Sequence, residues 1–165
     1  MSLAYLGLGS NLGDRSGHIR KAVAQIEERG LGTVLRQSKL YETEPVDCAE
    51  GGAFINCAIE IMTDLEPHTL LKGLHAVEAE LGRVRKPDQK NAPRTLDIDI
   101  LLYDFIVLNE KGLVLPHPWI LDRLFVLKPL LDIRPELFHP LAQKSIAEIY
   151  VEAPAEVLNQ KIREL

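Results

Sequence analysis

A chain of 165 residues that is 46% apolar and 26% charged, with a mean hydropathy of −0.02, is long enough for one buried core and too short for two catalytic modules. Its net charge of −5 argues against a general attraction to nucleic acid or anionic membrane, so a polyanionic ligand needs a local basic site. Two cysteines, Cys48 and Cys57, at a spacing that matches no zinc or redox motif, read as thiols of a reducing compartment.

No internal repeat or Gly/Ser linker divides the chain, and a single domain over residues 1–165 is expected. The N-terminus lacks the cationic start of a signal peptide, and no apolar run reaches the ~18 residues of a membrane span. The expectation is a cytoplasmic protein with no membrane and no nucleic-acid partner.

In chain order, Leu3 to Leu8 reads as a buried strand, followed by a turn punctuated by Gly7, Gly9 and Gly13. Ile19, Val23 and Ile26 recur at helical spacing and predict a helix from about Arg15 to Arg29, closed by Gly30. Thr33 to Tyr41 and Phe54 to Met62 read as strands, joined by a turn-prone loop from Thr43 to Gly52. Asp64 and Pro67 signal a second helix with an apolar stripe from Leu70 to Leu81, ended by Gly82. Thr95 to Tyr103 predicts another strand, and Phe105 to Leu115 a hairpin continuing from it. A helix is expected from Trp119 to about Leu131, with Pro129 starting a new turn or kink. Ser145 to Tyr150 and Ala155 to Glu164 read as short amphipathic packing and tail segments.

Between Arg83 and Arg94 the charge reverses: Arg83, Arg85, Lys86, Lys90 and Arg94 stand against Asp88 alone, a local +4. Beside it, Asp97 and Asp99 fall two apart on a strand and so share a face. Oxygen-only donors suit magnesium rather than zinc, and arginine forks suit the phosphates that magnesium accompanies. A solvated strand face and a solvated basic surface are the plainer alternatives. The glycines before Leu12 do not fit a dinucleotide or phosphate loop and read as a tight turn. His117, between two prolines, is more often structural than catalytic in kind. Phe54 with Asn56, and Phe125 after Arg123, could frame a planar heterocycle, although core packing is the stronger reading of both rings. A magnesium-dependent phosphohydrolase and a non-catalytic nucleotide-binding module both fit these residues taken alone.

The segment from Ala92 to Leu101 (Ala-Pro-Arg-Thr-Leu-Asp-Ile-Asp-Ile-Leu) resembles the signature of the 6-hydroxymethyl-7,8-dihydropterin pyrophosphokinases of folate biosynthesis. In order, Leu8 to Gly13, Tyr41 to Pro45, Phe54 to Ala58, Glu78 with Gly82 to Arg85, Leu115 to Pro118 and Arg123 to Leu130 extend the likeness. The resemblance implies an α+β, ferredoxin-like sandwich with a mainly antiparallel sheet and mobile loops, acting as a monomer on ATP and the pterin. It implies that Asp97 and Asp99 bind two magnesium ions and that Arg83 and Arg94, with Arg85 and Lys86, hold phosphates. His75, Glu78 and Ile100 would lie near the nucleotide, His117 would touch its phosphates or ribose, and Arg123 would approach as loops close. The pterin would stack between Phe54 and Phe125, its edge read by Asn56 and the backbone around Thr43, Glu44 and Val46. The chain departs from the pattern in reading Lys90-Asn91 where the family usually has Arg-Trp.

Overall fold

The computed structural model describes residues 1–44, 52–83 and 94–165. In chain order it runs β1 (Ser2–Ser10), α1 (Arg15–Glu28), β2 (Thr33–Gln37), β3 (Tyr41–Thr43), β4 (Phe54–Thr63), α2 (Pro67–Glu80) and β5 (Asp97–Tyr103). There follow β6 (Leu108–Glu110), β7 (Leu113–Leu115), α3 (Trp119–Asp122), α4 (Leu124–Ile133), β8 (Phe138–His139) and β9 (Lys144–Ser145). The chain ends with α5 (Ile146–Glu152), α6 (Ala155–Leu158) and β10 (Ile162–Glu164).

The main sheet is antiparallel, with β1 between β4 and β5, and with β2 and β3 both pairing β4. Strand β1, α1, β2, β4, α2 and β5 form a βαββαβ unit whose sheet order, β5-β1-β4-β2, is the ferredoxin-like one. The α+β expectation therefore holds.

Alternation along the strands separates two faces. On one, Leu6 and Leu8 of β1, Ile59 and Ile61 of β4 and Ile98 and Ile100 of β5 pack against Ile19 and Ile26 of α1 and Leu70, Leu74 and Val77 of α2. Each such side chain contributes about 1.5–3 kcal/mol when fully buried. On the other, Tyr5, Ala58, Leu101 and Leu102 pack against Val126, Leu127, Leu130 and Ile133 of α4 and Ile146 and Ile149 of α5. A register shift between Tyr5 and Leu6 is what lets Leu101 and Leu102 both join this second cluster.

Local signals explain the helix ends. The Asp14 side chain accepts from Gly17 N–H at the start of α1, and Pro67 stands in the first turn of α2. Gly30 and Gly82, just past the two helices, have φ of 67° and 94°, where glycine carries no Cβ penalty.

Five expectations are corrected. The strand foreseen over Thr33 to Tyr41 is two strands, broken where the Ser38 hydroxyl takes the Ala58 N–H at 2.9 Å. The strand foreseen from Thr95 starts at Asp97, and the hairpin is a separate two-stranded sheet because Asp104 turns the chain at φ 45°. The helix foreseen over Trp119 to Leu131 is split at Arg123, whose backbone is extended, while Pro129 lies inside α4. Burial of Leu127, Leu130 and Ile133 carries α4 past the missing proline donor. The tail is not mere packing: β10 joins the main sheet beside β3.

Candidate active site

The cleft lies on the second face of the sheet. Strand register builds its floor: Gly9 stands between Asp97 of β5 and Asn56 of β4, and Gly7 stands between Asp99 and Ala58. Paired residues share a face, so the two glycines put no side chain of their own beside either carboxylate. A Cβ on Gly9 would come within 2.9 Å of the Asn56 Oδ1, and one on Gly7 within 3.3 Å of Leu101 Cδ1. The resulting cleft is about 900 Å³ counting its open mouth. Asp97, Asp99 and Arg94 line one side, Phe54, Asn56, Thr43 and Glu44 another, and Trp119, Arg123 and Phe125 a third.

Burial sharpens the electrostatics. Arg83 donates to Glu78 Oε1 at 2.8 Å and also bonds Asp97, whose other oxygen accepts from Arg94 Nη1 at 3.0 Å. The buried Glu78 also accepts from Ile98 N–H at 2.8 Å, which fixes it beneath the carboxylate strand. Asp99 is pushed up to about 7, first by burial and then by the charges of Asp97 and Glu78, against the pull of Arg83 and Arg94. Two like charges this close on a half-buried strand call for a cation between them and solvent. Among the described residues, no group of three or more His, Cys, Asp or Glu could hold a metal ion. Asp97 and Asp99 offer oxygen donors alone, which fits magnesium retaining water and phosphate ligands.

Arg94 itself is gripped by its main chain. The Asn11 side chain accepts from Arg94 N–H at 2.8 Å, and Asn11 N–H donates to the Arg94 carbonyl at 3.2 Å. Across the cleft, Asn56 Nδ2 donates to the Thr43 hydroxyl at 2.9 Å, which fixes an amide oxygen toward Gly9. The His117 Nδ1 accepts from Trp119 N–H at 3.1 Å, so its proton is on Nε2, and burial lowers its pKa and keeps the ring neutral at pH 7.

Nine of the residues singled out in the sequence line this one cleft: Thr43, Glu44, Phe54, Asn56, Arg94, Asp97, Asp99, Arg123 and Phe125. Arg83 and Glu78 lie directly behind Asp97 through their bonds. His75 sits on α2 and is not among the lining residues, and the Ile100 side chain belongs to the core with Ile98, leaving only its main chain for a ligand. Val46, Arg85 and Lys86, with Cys48, Lys90 and Asn91, fall outside the described residues. Gly7, Gly9, Asn11 and Trp119 were not foreseen as site residues; a glycine-every-second-residue pattern inside a strand is the signal that could have found the floor.

Residues 5–135 match the family model described as 7,8-dihydro-6-hydroxymethylpterin-pyrophosphokinase (HPPK). The 2-amino-4-hydroxy-6-hydroxymethyldihydropteridine pyrophosphokinase of Bacillus subtilis (strain 168) is 43% identical over 132 residues, 80% of this chain and 78% of that protein. The protein of the same name from Aquifex aeolicus (strain VF5) is 40% identical over 152 residues, 92% of each. The folic acid synthesis protein fol1 of Pneumocystis carinii is 42% identical over 146 residues, 88% of this chain; the chain spans only 19% of that longer protein. A crystal structure of Plasmodium falciparum HPPK-DHPS with pterin and p-hydroxybenzoate superposes with a TM-score of 0.73 over 92% of this chain and 43% of that one. At 18% identity that likeness is one of fold. No helix among the described residues is long and apolar enough to cross a membrane.

Proposed function

The chain belongs to the 7,8-dihydro-6-hydroxymethylpterin-pyrophosphokinase family, ATP-dependent transferases of folate biosynthesis, and from that premise we propose how its cleft moves a diphosphate from ATP to the pterin hydroxymethyl group. The observation that carries the reading is the juxtaposition, in one cleft, of two carboxylates, an arginine against them and two aromatic rings beside an amide. The hydrolase and the non-catalytic module are not favoured by that membership.

Phe54 and Phe125 would sandwich the pterin, and the Asn56 amide, held by Thr43, would read its edge. Arg83 and Arg94, drawn to this face by Asp97, supply positive charge where the phosphates must lie. His117 would offer its Nε2–H to a phosphate or ribose oxygen. Asp97 and Asp99 would hold two magnesium ions, whose chemistry when bound is to neutralise phosphate charge. The pterin hydroxyl oxygen forms a bond to the β-phosphorus as the bond from that phosphorus to the α-phosphate oxygen breaks; the hydroxyl proton passes to water, and AMP leaves with the former bridging oxygen. The protein contributes position and preorganised charge, and no side chain need become covalently attached.

Purified protein given ATP, magnesium and 6-hydroxymethyl-7,8-dihydropterin is expected to release AMP and the pterin diphosphate, and EDTA to stop the reaction. Release of ADP, or no turnover, overturns the reading. A finer check is Gly9→Ala. Its methyl group displaces Asn56 Oδ1, so the Michaelis constant for the pterin is expected to rise about tenfold with that for ATP within about twofold. Initial rates with each substrate varied in turn measure both.

A further inference from the structure

Strand β10 and the residues just before it lie beyond the part of the chain that matches the family model, yet they touch two walls of the cleft. β10 pairs with β3, with Ile162 opposite Thr43 and Arg163 opposite Glu42, and Arg163 bonds the Glu42 carboxylate at 2.6 Å. On the other wall, the Gln160 side chain reaches the break between α3 and α4. Its Oε1 accepts from Leu124 N–H at 2.9 Å, and its Nε2 donates to the Asp122 carbonyl at 2.8 Å.

Those two backbone groups flank Arg123. The first N–H groups of a helix and the last carbonyls of the one before it have no partner within their own helices. Arg123, the N-cap of α4, makes no side-chain cap bond, and Pro118 makes none for α3. A glutamine carboxamide carries an acceptor oxygen and N–H donors on one planar group, so a single side chain satisfies both strays. Arg123 is thereby held extended, its guanidinium 5.9 Å from the centre of the Trp119 ring and facing the cleft that Phe125, two residues on, also lines.

We propose that Gln160 is a positioning residue for Arg123: its carboxamide staples α3 to α4 across that arginine, so the C-terminal segment sets where Arg123 stands on the wall of the cleft. The inference rests on the pyrophosphokinase reading for its kinetic consequence, while the staple itself can be observed without turnover.

Trp119 is the single tryptophan of the chain and sits at this junction, which makes its fluorescence a local probe. In Gln160→Leu, acrylamide quenching of Trp119 is expected to rise and the Leu124 amide to exchange its hydrogen about tenfold faster. The turnover number is expected to fall about tenfold with the Michaelis constant for ATP within about twofold. Gln160→Glu keeps the acceptor for Leu124 and loses the donor for Asp122, so it is expected to fall between Gln160→Leu and wild type, and it serves if the leucine variant folds poorly. In an Arg123→Ala background, Gln160→Leu is expected to cost nothing further in turnover, which a merely structural role would not produce. Unchanged quenching and exchange, or the same loss of turnover with and without Arg123, overturns the proposal. A wild-type protein that releases no AMP overturns the pyrophosphokinase reading and the kinetic half with it, and leaves the staple to the two spectroscopic measurements.

Discussion

Asp99→Asn is expected to cut turnover by on the order of 10³-fold while giving a protein that melts no lower than wild type. The two halves of that result have one cause. Asp99 is buried beside the negative charges of Asp97 and Glu78, which together with burial raise it to about 7. A carboxyl raised in this way carries its charge at a cost to the folded state, and a neutral amide of the same shape removes the repulsion. The same amide removes the negative oxygen that would hold a cation against the phosphates. Loss of activity with retained or increased thermal stability is the signature of a site group held in an unfavourable state for function. Circular dichroism melting and an AMP-release assay on the same preparation decide it. An Asp99→Asn protein that turns over within tenfold of wild type would remove Asp99 from the machinery, and one that melts much lower would make it structural.

The largest expected effect on stability lies on the same face of the sheet, beyond the cleft. Glu60 is buried and bonded by Arg134 at 2.7 and 3.0 Å, with Arg36 at 3.8 Å. Burial alone would raise its pKa, but the bonds from Arg134 and from Tyr5 outweigh it, and the net shift is downward. A carboxylate lowered in the folded state contributes stability above its ordinary range, lost as pH falls toward the lowered value. Arg134→Met leaves a buried carboxylate facing the Tyr5 hydroxyl and the more distant Arg36, without its bidentate cation, and about 3 kcal/mol is expected to be lost at pH 7, or about 6–12 °C in melting temperature. The sign of the pH dependence should then invert. In the variant, Glu60 becomes easier to protonate than in the unfolded chain, so the deficit narrows toward pH 4–5. Adding Glu60→Gln to Arg134→Met is expected to recover part of the loss at pH 7. Thermal melts of wild type and both variants at pH 4.5 and 7 test this, and a deficit independent of pH would exclude the buried charge as its origin.

What could be read from the sequence was what is encoded locally. Asp97 and Asp99 declare a shared face because strand geometry fixes the i, i+2 relation. Helix α1 is announced by Asp14 and Gly30, and α2 by Pro67 and Gly82. The floor of the cleft is different. Gly7 and Gly9 look like turn residues until β4 and β5 are laid on either side, and that pairing joins residues about 50 and 90 positions apart, beyond any local pattern. The break at Arg123 is hidden for another reason. Apolar residues at 120, 124, 127 and 130 keep a helical period through it, while the group that stabilises the break, Gln160, comes from the other end of the fold. β10 is equally silent, since three residues, two of them charged and exposed, carry no strand signal until an edge is offered to them.

The two-sided character of β1 has a consequence for how this protein tolerates change. Leu6 and Leu8 face the helices, while Gly7 and Gly9, alternating with them, face the cleft. Sliding the strand by one residue would push leucines onto the catalytic floor and hollow the core in a single step. No partly slipped alternative keeps either property, so insertions and deletions within Ser2–Ser10 should be purged as nulls rather than graded. Drift in this segment is left to single exchanges at the apolar positions, and the strand acts as a ruler that folding and chemistry must read at the same mark.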